Sequence, residues 1–117
     1  MQAAPERLGD AARRLVEDGK NTALLSAASS WEIAIKFALG KLALPESPET
    51  YVPDRMRSGG VMALAVHHTH ALRVAELERH HRDPFDRLLV AQAQIEGLVL
   101  MTADPVFDRY DVETVAA

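Results

Sequence analysis

Apolar residues gather in short unbroken runs along this chain, and between the runs they recur at helical spacing. The runs are "TALLSA" at 22–27, "VMALAV" at 61–66 and "LVLMT" at 98–102. Each is shorter than a buried helix needs and is bounded by turn-forming residues, which predicts strands. "VETV" at 112–115 predicts a fourth.

Helices are marked by their ends. "DAARRLVED" at 10–18 reads as a helix stopped by Gly19. "SSWEIAIKFALG" at 29–40 carries Ser29 as a cap, Glu32 three residues on and Gly40 at the end, the pattern of a capping box. "THALRVAEL" at 69–77 starts on Thr69. A helix over 84–96 has Asp83 as its cap, Pro84 in its first turn and Gly97 as its stop. The prolines and glycines of 43–60 predict a loop with a short interrupted helix near 48–58. "DPVFDRY" predicts a short helical turn.

Strands alternating with helices predict an α/β fold with a largely parallel sheet, and the length of 117 residues suits one domain. In such sheets, ligands bind beyond the carboxyl ends of the strands. Three acids fall there. Glu32 follows the first run by one turn, Asp104 follows "LVLMT" directly, and Asp86 opens the helix that leads back to that run. Capping and the helix dipole account for each one singly, at about 0.3–1 kcal/mol. They do not account for Asp86 sharing a face with Val90 and Ala93. Acids brought together repel unless a cation neutralises them or one keeps its proton. A carboxylate site without cysteine suits Mg²⁺ or Mn²⁺. Such ions activate water and stabilise charge on a phosphate.

Composition narrows the classes. The chain has no cysteine, hence no disulfide framework or thiolate zinc site, which agrees with a cytoplasmic protein. No run approaches the ~20 apolar residues of a membrane span, so no membrane partner is expected. The formal charge of −4 argues against a general electrostatic grip on nucleic acid but leaves room for a local basic patch.

Three stretches together carry a resemblance: "SAASSWEIAIKFALGKLAL", the "VAEL" motif, and "HHRDPFDRLLVAQAQIEGLVLMTADPVFDRY". In order and spacing they resemble PIN-domain ribonucleases, and within them the VapC-type toxins of toxin–antitoxin modules. The resemblance implies a three-layer α/β/α domain with a parallel sheet and a cluster of four acids that binds Mg²⁺ or Mn²⁺. It implies metal-dependent endonucleolytic hydrolysis of RNA, a cognate antitoxin as partner, and a homodimer. Glu32, Asp86 and Asp104 match three of the acids by motif position, and Thr102 matches a polar residue beside the metal. The family's chains begin with an apolar strand ending in Asp. Here "MQAAPERLGD" stands instead, and Asp10 follows no strand. The expectation is a single PIN-like domain over 1–117 that is N-terminally truncated, lacking the central first strand and one metal ligand.

The remaining chemistry is secondary. His80, His81, Arg82 and Arg87 form a basic group beside Asp86; Arg82 and Arg87 are the candidates for contact with RNA phosphates. The histidines at 67, 68 and 70 read as surface or capping residues rather than ligands. Trp31, Phe37, Phe85 and Phe107 read as core or interface anchors rather than base-stacking platforms. Two rival functions remain. One is a non-catalytic PIN-like module that binds antitoxin or RNA without cutting, which the missing strand favours. The other is a different metal-dependent phosphate-transfer enzyme, which would need a nucleophilic Asp after its first strand.

Overall fold

The structure is a computed structural model and describes residues 21–116. The helix expected at 10–18, with Asp10, lies outside the described residues. The order of elements is β1 (Leu24–Ser26), α1 (Ala27–Ala38), α2 (Pro48–Gly59), β2 (Met62–Leu64), α3 (His68–Arg73), α4 (Pro84–Glu96), β3 (Leu100–Met101) and β4 (Thr114–Val115). Short 3-10 turns at Val74–Glu76 and Pro105–Arg109 complete it.

Strands and helices alternate as the apolar runs demand, and every pairing seen is parallel. β1 pairs with β2, with Leu25 opposite Ala63. β3 pairs with β4, with Leu100 opposite Thr114. Among the described residues these are two separate two-stranded sheets rather than one continuous sheet. The strands are shorter than the runs, and β2 is more open than its composition implies, with Met62 61% exposed.

Helix α4 is the centre of the molecule. Leu89, Val90, Ala91 and Ala93 are buried and meet Leu77, Leu100, Phe107 and Tyr110 in the main apolar cluster. Its boundaries follow from local chemistry. Asp83 accepts hydrogen bonds from the Phe85 and Asp86 amides at 2.9 and 3.1 Å, Pro84 fills the first turn, and Gly97 closes the helix in the left-handed conformation at φ 67°. Pro53 lies inside α2, which remains continuous around it.

Two helix starts differ from the sequence expectation. α1 is capped by Ser26, not Ser29: the Ser26 hydroxyl accepts from the Ala28 amide at 3.0 Å. Ser29 is buried within the first turn, and Glu32 falls in the second. α3 is capped by His67 rather than Thr69, in a box where the His70 ring nitrogen Nδ1 accepts from the His67 amide at 3.0 Å. An imidazole nitrogen replaces the usual hydroxyl or carboxylate oxygen there. Among the described residues, no helix is long and apolar enough to cross a membrane.

Candidate functional site

Glu32 and Asp86 come from α1 and α4, two helices that pack on each other. The loss of the Ser29 capping box removes the local reason for an acid at position 32, because no acid sits in the first turn of α1. The Glu32 side chain is only 12% exposed, and Lys36 meets it at 3.2 Å one turn along. Asp86 is 7% exposed, on the face of α4 that also buries Leu89, Val90 and Ala93. Burial raises the Asp86 carboxyl above its usual range. The negative charge of Asp83 adds to the shift, the contact and charge of His81 oppose it, and Glu32 raises it again. The charge of Glu32 therefore reaches the Asp86 carboxyl across the two helices.

Asp104 behaves differently. It follows β3 as expected, and the Thr102 hydroxyl accepts from its amide at 3.0 Å, so Thr102 shapes the turn that presents it. The Asp104 carboxylate accepts from the Val106 amide at 3.0 Å as the cap of the 3-10 turn, and the residue is exposed. Among the described residues, no three His, Cys, Asp or Glu side chains form a group able to hold a metal ion. Two of the three sequence-predicted acids thus lie on helices that pack on each other, and the third is an exposed cap at the end of β3.

The basic group beside Asp86 divides. Arg82 is exposed and precedes the α4 cap. Arg87 faces the protein: its guanidinium donates to the carbonyls of Glu78 (2.9 Å), Val74 (3.1 Å) and Leu77 (3.4 Å) and to the Tyr110 hydroxyl (3.3 Å). A planar fork with several donors suits that task. These contacts occupy the group that the sequence assigned to RNA phosphates, and they make Arg87 a clamp between α4 and the turn after α3.

Sequence reasoning did not single out Tyr110, and it placed His81 with the phosphate contacts. The His81 ring lies 2.8 Å from the Tyr110 hydroxyl through Nδ1 and 3.4 Å from Asp86 Oδ2 through Nε2. Arg87 and His81 meet at the Tyr110 hydroxyl, and the far ring nitrogen of His81 approaches the Asp86 carboxylate. Tyr110 is 6% exposed and belongs to the main apolar cluster, so its hydroxyl is presented from the core. The available signal was a pair of histidines just before a capped helix bearing an inward acid.

Of the other histidines, His70 is fully buried, against the expectation of a surface position. Its Nε2 lies 2.8 Å from Glu96. The capping half of the expectation holds. The aromatics also divide: Phe107 is core at 1% exposed, whereas Trp31 is 61% exposed and touches Phe85 edge to face, with ring centroids 5.1 Å apart.

Against known proteins, residues 2–113 match the PIN domain. The chain belongs to the PIN-domain family. The resemblance in the three quoted stretches is therefore a relationship, and the α/β architecture with parallel strands is that of this PIN domain. The chain is also similar to Ribonuclease VapC16 of Mycobacterium tuberculosis, 57% identical over 58 residues. That match covers 50% of this PIN-domain chain and 41% of the relative's length.

Proposed function

We propose that this PIN domain serves a VapC-type toxin, a metal-dependent endoribonuclease, with Glu32 and Asp86 at its metal site and Asp104 as the third acid. The observation that carries the reading is the inward pair Glu32–Asp86. It consists of two low-exposure carboxylates from different helices, one of them with its proton affinity raised by burial and by neighbouring acids. A hard divalent cation fits such a pair, because Mg²⁺ is commonly held by one or two carboxylates together with water and substrate phosphate oxygens. When bound, Mg²⁺ or Mn²⁺ would supply an activated water and charge stabilisation at the phosphate.

The chain's own residues then have separable tasks. Glu32 and Asp86 offer the oxygen ligands. His81, braced by Tyr110, fixes the direction of the Asp86 carboxylate. Thr102 orients the turn that carries Asp104. Arg82, exposed next to the acids, meets an RNA phosphate at the rim. The partners this reading implies are RNA, a cognate antitoxin and a second copy of the chain. The cytoplasm is the matching compartment.

A second reading has its own support. The absence of a three-member acidic group among the described residues favours a PIN-like module that binds RNA or antitoxin without cutting. Two measurements separate the readings: cleavage of a single-stranded RNA with Mn²⁺ or with EDTA, and calorimetric titration of Mn²⁺ into the protein. The nuclease reading expects cleavage only with the metal, and loss of both cleavage and Mn²⁺ binding in Asp86→Asn. RNA binding without cleavage establishes the second reading. Cleavage that persists in EDTA ends the metal-dependent proposal.

A further inference from the structure

Trp31 and Phe85 stand in the same relation to the two acids, each one residue before its carboxylate: Trp31 before Glu32 on α1, Phe85 before Asp86 on α4. Their rings meet edge to face, with 5.1 Å between centroids and 73° between planes. The contact braces the indole, yet Trp31 stays 61% exposed. A buried anchor would not, and a mobile surface side chain would lack the brace. An exposed, held aromatic ring beside an acidic pair is the form of a stacking platform.

We propose that Trp31 stacks on an unpaired nucleobase of the RNA, next to the phosphate that the acids address. This rests on the nuclease reading for the identity of the ligand and adds the residue that selects single strands. Three observations favour a base over a protein segment as occupant. Trp31 precedes Glu32 on α1, and its ring touches Phe85, which precedes Asp86 on α4, so a strand whose phosphate lies at Glu32 and Asp86 brings its adjacent base to this edge. Exposed Arg82, just before the cap of α4, supplies the positive charge a phosphate backbone needs beside two carboxylates. Among the described residues of α1 and its C-cap, the next exposed large apolar residue is Leu39, two turns away and about 12 Å along the axis, so Trp31 and Leu39 do not form one patch. A stacked base also explains preference for single strands, whose bases expose their faces as duplex bases do not.

Trp31 is the single tryptophan of the chain, so its fluorescence reports this site alone. The test titrates the full chain, in EDTA to prevent cleavage, with a single-stranded oligoribonucleotide and with its duplex. Labelled-RNA anisotropy is measured in parallel for Trp31→Leu and Trp31→Phe, and cleavage with Mn²⁺ is assayed on all three proteins. The proposal expects saturable quenching by the single strand and little by the duplex. It expects about tenfold weaker RNA binding in Trp31→Leu, from a typical single-base stacking contribution, with substantial recovery in Trp31→Phe. Unchanged indole emission on RNA binding, or equal affinity in Trp31→Leu, overturns it even where cleavage is normal, leaving the nuclease reading intact. Quenching without any Mn²⁺-dependent cleavage supports the platform and removes the nuclease. An emission shift that follows protein concentration without RNA, with a doubled mass, assigns the ring to contact between copies and overturns the proposal. So does protection of the ring by a protein partner with no effect of RNA.

Discussion

Ser26 and Gln92, 66 positions apart, join their buried side chains in a 2.6 Å hydrogen bond at the carboxyl end of β1. The Ser26 hydroxyl donates to Gln92 Oε1 while its oxygen caps α1 through the Ala28 amide. Gln92 in turn donates to the Ala65 carbonyl just beyond β2, at 3.2 Å, and lies 3.4 Å from His70 Nδ1 on α3. One amide on α4 thereby ties together β1, β2, α1 and α3. The same tie joins the start of α1 to α4, the two helices that carry Glu32 and Asp86.

Removing either partner costs the other one bond of a buried polar group. Ser26→Ala also deletes a helix cap, and we expect a loss of about 1–3 kcal/mol in urea unfolding. Gln92→Leu should cost a similar amount, through the Ala65 carbonyl and the Ser26 hydroxyl. The double variant should lose less than the sum of the two, because the single changes break one shared network.

Asp86 carries a pH signature. Its folded-state proton affinity is raised, chiefly by burial. The stability tied to the protonated form is fully present below the ordinary aspartate value of about 3.9 and is lost as pH rises through the raised value. In EDTA at neutral pH, Asp86→Asn should melt above the wild type, with the gap closing as pH falls below 4. Mn²⁺ should raise the melting temperature of the wild type and leave Asp86→Asn unmoved. A variant less stable than wild type at neutral pH would show that the carboxylate is held by contacts stronger than the repulsion.

Arg82 and Arg87 separate binding from folding. Arg87→Lys should destabilise by about 1–3 kcal/mol, because an ammonium cannot reproduce the fork that reaches three carbonyls and a hydroxyl. RNA affinity of the folded fraction should not change. Arg82→Ala should do the reverse, keeping stability, weakening RNA binding and lowering the salt slope of binding by about one. Denaturation curves and anisotropy at several salt concentrations read both.

Tyr110→Phe deletes the hydroxyl that His81 and Arg87 share. With the ring of His81 released, the Asp86 carboxylate loses its orientation. Mn²⁺ affinity should fall about tenfold, as for other outer partners of metal ligands, while circular dichroism stays native. Unchanged Mn²⁺ affinity would confine Tyr110 to core packing.

Local rules made much of the fold legible. Asp83, Pro84 and Gly97 announced both ends of α4, and the structure places it at Pro84–Glu96. The parallel strand pairs followed from apolar runs alternating with helices. α1 started earlier than expected because Ser26 and Ser29 are both competent caps in sequence, and a tertiary bond to Gln92 chose between them. Likewise His67 displaced Thr69 because the buried His70 ring was there to accept its amide.

The sequence by itself determined where helices and strands lie and which acids stand near strand ends, since caps, proline, glycine and apolar spacing act over a few residues. Only the tertiary structure decided that Glu32 and Asp86 lie on helices packed together while Asp104 is an exposed cap, that Arg87 faces inward, and that Trp31 is open. Those outcomes depend on how helices rotate against one another. That rotation is fixed by contacts such as Ser26–Gln92 between residues dozens of positions apart, for which the linear order carries no distance.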